Sequence, residues 1–333
     1  MIFLTLLVIN LLLILILHNL AFKLNLIDFP NSRKIHHGEI PLVGGIAIYA
    51  TIIIGVLLTT NPNAVNFIVF TSAIVVIIGI LDDIINIDFK IRFFCQFLAS
   101  LIILAKGIYI TDLSFINMQQ SQILIYFFIP FTILTVLGLT NAMNFIDGID
   151  GLSSLLFLKS LIIVIILIKL ENPNYNPNFL YLLFISIIPF IVLNLGLFKN
   201  YKIFLGDSGS TFLGFILAWM LIYYTQISIY KISPVIVIWI APLIVYDFFG
   251  VFTSRIINRS NPFTPDNNHL HFILLKKYNK TIVLMIMLII SFSLSIIGLL
   301  VHYFIDMYLS LFLYIFLLII YLLINSKLKK IFT

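Results

Sequence analysis

Residues 131–166 read FTILTVLGLTNAMNFIDGIDGLSSLLFLKSLIIVII, two apolar runs broken by one polar patch. In the patch, Asn141, Asn144, Asp147 and Asp150 recur every third residue, and Gly148 and Gly151 each follow an aspartate. A helix needs roughly 20 apolar residues to cross the hydrocarbon of a bilayer, and the flanking runs 122–140 and 152–168 read as two such spans. Working outward, the pattern recurs at 2–22, 41–60, 66–81, 93–110, 179–198, 209–227, 234–252, 281–302 and 309–325, which makes about eleven spans. The expected fold is all-α, a polytopic integral membrane helical bundle. Residues 1–333 form a single transmembrane domain in this reading, with loops at 23–40, 82–92, 141–151, 199–210 and 253–280.

Composition agrees. Of the residues, 62% are hydrophobic and 10% charged, against roughly 25% charged in a soluble globular domain. The single cysteine, Cys95, excludes an intramolecular disulfide framework. Residues 1–22 lack a positive n-region and a small-residue cleavage site before Lys23, so they read as a retained span rather than a signal peptide. Fifteen of the 19 Lys and Arg residues follow spans 1, 3, 7 and 9 or lie in the C-terminal tail. By the positive-inside rule this puts the N-terminus outside and the C-terminus in the cytoplasm. Asp28, Glu39, Asp82, Asp83, Asp88, Asp147, Asp150, Asp207 and Asp266 gather on the same side, with Asp112, Glu171 and Asp306 opposite and Asp247 inside span 9. A transporter would concentrate ionisable residues within helices near the midplane, and only Asp247 fits that. Collection at one interface suits a site open to cytosolic solutes and lipid headgroups at once.

Five stretches carry the chemistry. In IGILDDIINIDFKIR (78–92), Asp82 and Asp83 close span 3. A carboxylate there meets the negative end of the helix dipole and needs a compensating cation, unless it merely solvates the boundary. Lys90 and Arg92 are near enough in sequence to serve anions. In the polar patch, a helix would place both Asn and both Asp on one face. The glycines argue instead for a helix end or tight loop with backbone amides turned to a phosphate or sugar, beyond what a plain turn requires. In FLGDSGSTFLGF (204–215), an Asp or Ser is expected to N-cap span 8. That helix start is also a ready anion site, where Asp207 could hold a metal bridging to the anion. In NPFTPDNNHLHFILLKK (261–277), His269 and His271 share one side only if the segment is extended. Zinc would want a third nitrogen or sulfur ligand, whereas the neighbouring carboxylates and amides favour Mg²⁺ or Mn²⁺. These histidines therefore read as phosphate or proton partners, with metal ligation second. In DFPNSRKIHHGEIPLVGG (28–45), Arg33 and Lys34 form a basic juxtamembrane loop that sets topology and, beside so many acidic loops, offers an anion contact.

In this order, the five stretches resemble the polyprenyl-phosphate N-acetylhexosamine-1-phosphate transferases, glycosyltransferase family 4, from about Asp28 to Leu274. NAMNFIDGIDGL, GDSGSTFLGF and NPFTPDNNHLH are similar to the bacterial branch that transfers N-acetylglucosamine 1-phosphate to undecaprenyl phosphate. The resemblance implies a Mg²⁺-dependent enzyme of the bacterial inner membrane with its active site on the cytoplasmic side. A lipid phosphate attacks the β-phosphate of a UDP-sugar, UMP leaves, and lipid-linked synthesis of a cell-envelope polysaccharide such as O-antigen begins. Carried over by position, Asp82 and Asp83 match the catalytic pair, and His269 and His271 match the histidine motif. Asp147 and Asp150, with Asn141 and Asn144 beside them, match the nucleotide-binding loop. Asn144 and Asp207 match positions that approach the metal, and Arg92 a diphosphate contact. Lys90, Arg33 and Lys34 are grouped with the substrate contacts. The implied partners are the UDP-sugar, undecaprenyl phosphate and the bilayer, with a homodimer compatible and no nucleic acid. One departure is Phe272, where the family often has a further histidine. The muramoyl-pentapeptide branch is the alternative within the family. It usually reads DGLDGL and carries a run of histidines, against DGIDGL and HLHF here.

The residues support the same chemistry. A lipid phosphate and a sugar diphosphate repel each other, so the main task is charge compensation and in-line positioning. Mg²⁺ typically binds through one or two carboxylates plus substrate phosphates, which suits Asp207. A membrane scaffold would account for the hydrophobicity but for none of these loops.

Overall fold

The computed structural model describes residues 2–29, 38–114, 122–227, 232–257, 259 and 268–332. Arg33 and Lys34 lie outside the described residues, as does most of the stretch from 258 to 267. Helices dominate: α1 (Ile2–Ala21), α2 (Gly44–Leu58), α3 (Asn63–Thr71), α4 (Ala73–Ile85), α5 (Phe89–Leu104), α6 (Ile125–Ile146) and α7 (Leu152–Glu171). After them come α8 (Asn178–Asn194), α9 (Gly206–Ile222), α10 (Pro234–Val237), α11 (Pro242–Ile257), α12 (Leu270–Leu275), α13 (Lys280–Phe304) and α14 (Met307–Phe332). Among the described residues the strands are two short ones, β1 (Ile27–Asp28) and β2 (Ile40–Pro41), paired antiparallel. Among the described residues, seven segments are long and apolar enough to cross a membrane: Ile2–Ala21, Asn63–Ile85, Ile125–Ile146, Leu152–Glu171, Gly206–Ile227, Lys280–Phe304 and Met307–Lys329. The protein is an all-α membrane protein, the architecture in which every backbone polar group is paired within its own segment.

Two of the expected spans are interrupted. The span expected at 66–81 is two helices that meet at Ser72, whose hydroxyl donates to the Val69 carbonyl. The span expected at 234–252 is α10 and α11, separated at residues 238–241 ahead of Pro242, whose ring has no N–H to continue a helix.

The chain forms two compact units, each discontinuous in sequence. The first comprises Met1–Ile108, Ile133–Thr140 and Asn174–Tyr223. At its centre is α9, the most buried of the long segments, packed by α2, α3 and α4. Glycines set the close approaches. A Cβ on Gly45 would strike the backbone of Gly209, and a Cβ on Gly79 would strike the backbone at Ser208. Small residues at helix contacts let backbones pack closely where lipid offers no hydrophobic drive. The start of α2 is also tied to the start of α9 by backbone hydrogen bonds, Gly44 N–H to Phe204 C=O at 3.0 Å and Gly45 N–H to Leu205 C=O at 3.0 Å. Gly79 lies one turn before Asp82 and Asp83, so it holds them against the first turn of α9. Gly79→Ala is expected to lower unfolding stability by about 2 kcal/mol or more, because the obstacle is backbone and cannot rotate away. Thermal unfolding in detergent measures it.

The second unit comprises Tyr109–Thr132, Asn141–Pro173 and Tyr224–Thr333. Its core joins Trp239, Tyr246 and Tyr314. Trp239 Nε1–H donates to Ser310 Oγ at 2.9 Å and Tyr246 O–H to the Tyr314 carbonyl at 2.7 Å, so the polar atoms of these two buried rings are paired. A buried lysine, Lys159 on α7, donates to Ser291 and Ser295 of α13 at 2.9 Å each.

Candidate active site

In the first unit the sequence brings three carboxylates and an arginine together. The link between α4 and α5 is only Asn86, Ile87 and Asp88, much shorter than the loop expected at 82–92. Asn86 closes α4 in the left-handed conformation (φ 50°), and the Asp88 side chain caps α5 by accepting from the Lys90 amide. This tight turn carries Arg92 back to Asp82, and the two form an ion pair. Asp82 Oδ1 also accepts from the Ile87 amide at 2.7 Å. The guanidinium reaches on to Asp207 Oδ2 at 3.5 Å.

Asp83 has a different task. Its Oδ1 accepts from the Asp207 amide at 2.8 Å and its Oδ2 from the Ser208 amide at 3.2 Å. The expectation that an Asp or Ser of the GDSGS stretch caps this helix is therefore corrected. The N-cap position is Leu205, without a side-chain bond, and Asp83 from α4 takes the exposed amides of α9. A carboxylate at a helix N-terminus is also favoured by the dipole, which compensates its position at the end of α4. Gly206 makes the approach possible, since it has φ 75° and a Cβ there would come within 2.6 Å of Asp83 Oδ2. With Asp83 and Asp82 engaged, Asp207 presents the most exposed carboxylate of the three beside Arg92. Its side chain is 37% exposed, against 6% for Asp82. Lys90 is exposed on α5 and, among the described contacts, does not join this cluster.

The second unit holds the polar patch and the histidines. Helix α6 runs to Ile146, so Asn141 and Asn144 lie a turn apart on its last turns, while Asp147 takes the C-cap position. The four oxygen-bearing residues are thus not on one helical face throughout. All four are half-buried, while Ala142, Met143 and Ile146 are buried. Asp147 Oδ1 accepts from Ser153 O–H at 2.5 Å, and Asp150 lies 3.9 Å from the Lys280 ammonium. Gly151 (φ 80°) lets α7 start at once. Gly148 packs against the His271 ring, where any Cβ would collide with Nε2.

The two histidines meet without an extended segment, contrary to expectation. His269 is the extended N-cap of α12, the helix begins at Leu270, and the two rings stack with centroids 5.8 Å apart. His269 Nδ1 pairs with Asp247 Oδ2 at 2.6 Å. Asp247, weighed in the sequence only as a transporter feature, is a buried partner of the histidine motif. The available signal was its position, since an ionisable residue inside an apolar span is by default a functional candidate. Arg255, counted in the sequence only as a loop charge, is buried with its guanidinium 5.8 Å from the Phe145 ring. His271 is fully buried, and neither ring nitrogen has a hydrogen-bond partner. Burial pulls its pKa down to about 3, so at neutral pH it is an uncharged imidazole and not a cation for a phosphate.

Among the described residues, no group of three or more His, Cys, Asp or Glu is arranged to hold a metal ion. The exposed Asp207 carboxylate fits an ion that takes one protein carboxylate and completes its shell with water and substrate phosphates, as Mg²⁺ does.

These features define a helical membrane protein with carboxylates clustered at helix ends. Comparison with known proteins gives its family. Residues 67–225 match the model of glycosyl transferase family 4. The chain is 32% identical over 260 residues to the undecaprenyl-phosphate alpha-N-acetylglucosaminyl 1-phosphate transferase of Yersinia pestis, covering 77% of this chain and 71% of the relative. It is 30% identical over 260 residues to the protein of that name in Escherichia coli K12, with the same coverage. With the Haemophilus influenzae protein it shares 32% over 267 residues, 79% of this chain and 75% of the relative. The chain belongs to glycosyl transferase family 4.

Proposed function

We propose that this protein transfers N-acetylglucosamine 1-phosphate to undecaprenyl phosphate, with UDP-GlcNAc as donor and UMP as leaving group. The observation that carries the reading is the Asp82–Asp83–Arg92–Asp207 cluster at the start of α9, within the segment that matches the family. An oxygen of the lipid phosphate attacks the β-phosphorus of the donor, the bond to the α-phosphate breaks, and UMP carries the released charge. Arg92 offsets charge on the diphosphate. Asp82 fixes Arg92, and Asp83 fixes the first turn of α9 and with it Asp207. Mg²⁺ held by Asp207, with Mn²⁺ as a substitute, would supply Lewis-acid stabilisation of the transferring phosphoryl group. Asn141, Asp147 and Asp150 receive nucleotide or sugar hydroxyls, and His269 serves as a proton or phosphate partner.

The same reading sets the topology. Counting α3 with α4 and α10 with α11, the long helices among the described residues make eleven segments, which supports eleven spans. Fifteen of the 19 basic residues on alternate connections support an outside N-terminus, a cytoplasmic C-terminus and a cytoplasmic site in the inner membrane. The product starts a lipid-linked envelope polysaccharide. UMP release by the purified protein, given undecaprenyl phosphate and UDP-GlcNAc, tests the function, and no release under Mg²⁺ would overturn it. The donor is expected to be a UDP-N-acetylhexosamine without a peptide. A panel of UDP-sugars should give turnover with UDP-GlcNAc and little with UDP-MurNAc-pentapeptide, and the reverse preference would refute that choice.

A further inference from the structure

Helix α14 is the least buried of the long segments, at 11%, and about half of its apolar side chains are exposed. Ser310, Tyr314 and Asn325 on this helix are buried, and Tyr321 also reaches inward. Tyr321 O–H donates to Asp247 Oδ1 at 2.9 Å, and the Leu270 amide donates to the same oxygen at 2.9 Å. The other oxygen pairs with His269 Nδ1 at 2.6 Å. Gly250, almost one turn beyond Asp247 on α11, allows this approach. A Cβ there would come within 2.8 Å of Asn325 Nδ2 and 3.1 Å of Tyr321 Cε1, so α14 rests directly on α11 at that level. Asp247 is 1% exposed, with three groups converging on it, and a backbone amide can only donate. A carboxylate that accepts throughout requires a proton on His269 Nδ1, and in the neutral imidazole this leaves Nε2 as the bare nitrogen.

We propose that Asp247 holds His269 in the Nδ1–H tautomer and that Tyr321 acts as a positioning residue by orienting Asp247, so that the C-terminal helix α14 is part of the active-site machinery. Both lie outside the segment matched by the family model, which ends at residue 225. The inference rests on the transferase reading of the histidine motif, and the experiment separates the two.

Histidine-selective ¹⁵N labelling of the full-length protein in detergent, with His269→Gln for assignment, reads the tautomer without any turnover. The wild type should show a protonated Nδ1, Asp247→Asn should lose that signature, and Tyr321→Phe should keep it. In the UMP-release assay, Asp247→Asn should lower kcat by about thirtyfold or more, with KM for UDP-GlcNAc within about twofold. Tyr321→Phe removes one hydrogen bond at constant packing and should cost about three- to tenfold in kcat. Tyr246→Phe, which breaks a neighbouring bond between the same two helices, should lower thermal stability and leave kcat unchanged. The proposal is overturned if Asp247→Asn leaves the ¹⁵N signature intact. It is also overturned if the three variants lose activity only in proportion to lost stability. If the wild type turns over no UDP-sugar, the functional reading fails while the labelling still decides the tautomer.

Discussion

Asp207→Asn is expected to lower transfer by more than about a thousandfold at ordinary Mg²⁺, the equivalent of roughly 4 kcal/mol of transition-state stabilisation, while the protein stays folded. The fold is spared because the contact that seats residue 207 uses its backbone amide, which donates to Asp83 and persists in the variant. Asparagine keeps the side-chain volume at a position already 37% exposed, so packing changes little. The loss is one negative charge beside Arg92 and, on the proposed assignment, one anionic metal ligand. Rate measured against Mg²⁺ concentration, beside a melting curve, isolates the effect. Near-wild-type turnover at low Mg²⁺ would sink the metal assignment.

The second large effect concerns Asp82 and Asp83. A phosphate monoester has a second pKa near ~6, so at pH 7 most of the lipid phosphate is already dianionic, and removing the last proton gains less than about tenfold. The geometry points the same way. Asp82 accepts from Ile87 and pairs with Arg92, and Asp83 accepts two amides of α9, so both carboxylates are occupied as acceptors. Asp82→Asn and Asp83→Asn should each cost more than about a hundredfold at pH 7, with no recovery near pH 9. The two should differ in stability. Asp83→Asn turns an amide NH₂ toward one backbone N–H and leaves that donor unpaired, a cost of about 1–3 kcal/mol that lowers the melting temperature. Asp82→Asn keeps an amide oxygen for the Ile87 N–H and leaves Arg92 with Asp207 as a partner, so it should melt closer to wild type. The measurement is kcat against pH with saturating lipid. Recovery at high pH would show that proton removal was the lost function.

Much of this was legible in the sequence because the relevant signals are local. Apolar runs mark helices, and Gly148, Gly151 and Gly206 mark where they stop or start. The clusters were legible too, since Asp82 and Arg92 are brought together by a turn of three residues. The cap on α9 was not. Local pattern assigns a cap to the adjacent Asp or Ser, whereas the acceptor comes from a residue 124 positions earlier. Asp247 illustrates the same limit. Its meaning depends on His269, 22 residues on, and Tyr321, 74 residues on, and periodicity carries no information about such pairs. The stacking of His269 on His271 was missed because a helix cap changes backbone conformation between the two residues, which a single extended or helical period cannot represent.

The pairing of Lys159 with two serines bears on how the chain is made. A lysine at the middle of an inserting helix costs roughly 2.5–3.5 kcal/mol at the translocon, so α7 enters the bilayer with a polar head to accommodate. The hydroxyls that receive its ammonium lie 132 and 136 residues downstream. At about 5–20 residues per second, the ribosome needs between about 7 and 26 s to deliver them. For that interval the amine must be held by water, headgroups or the insertion machinery, and α7 acquires its final environment only once α13 has been threaded. Biogenesis of this protein therefore has a late step built into its middle, one that a chain truncated before Ser291 would never complete.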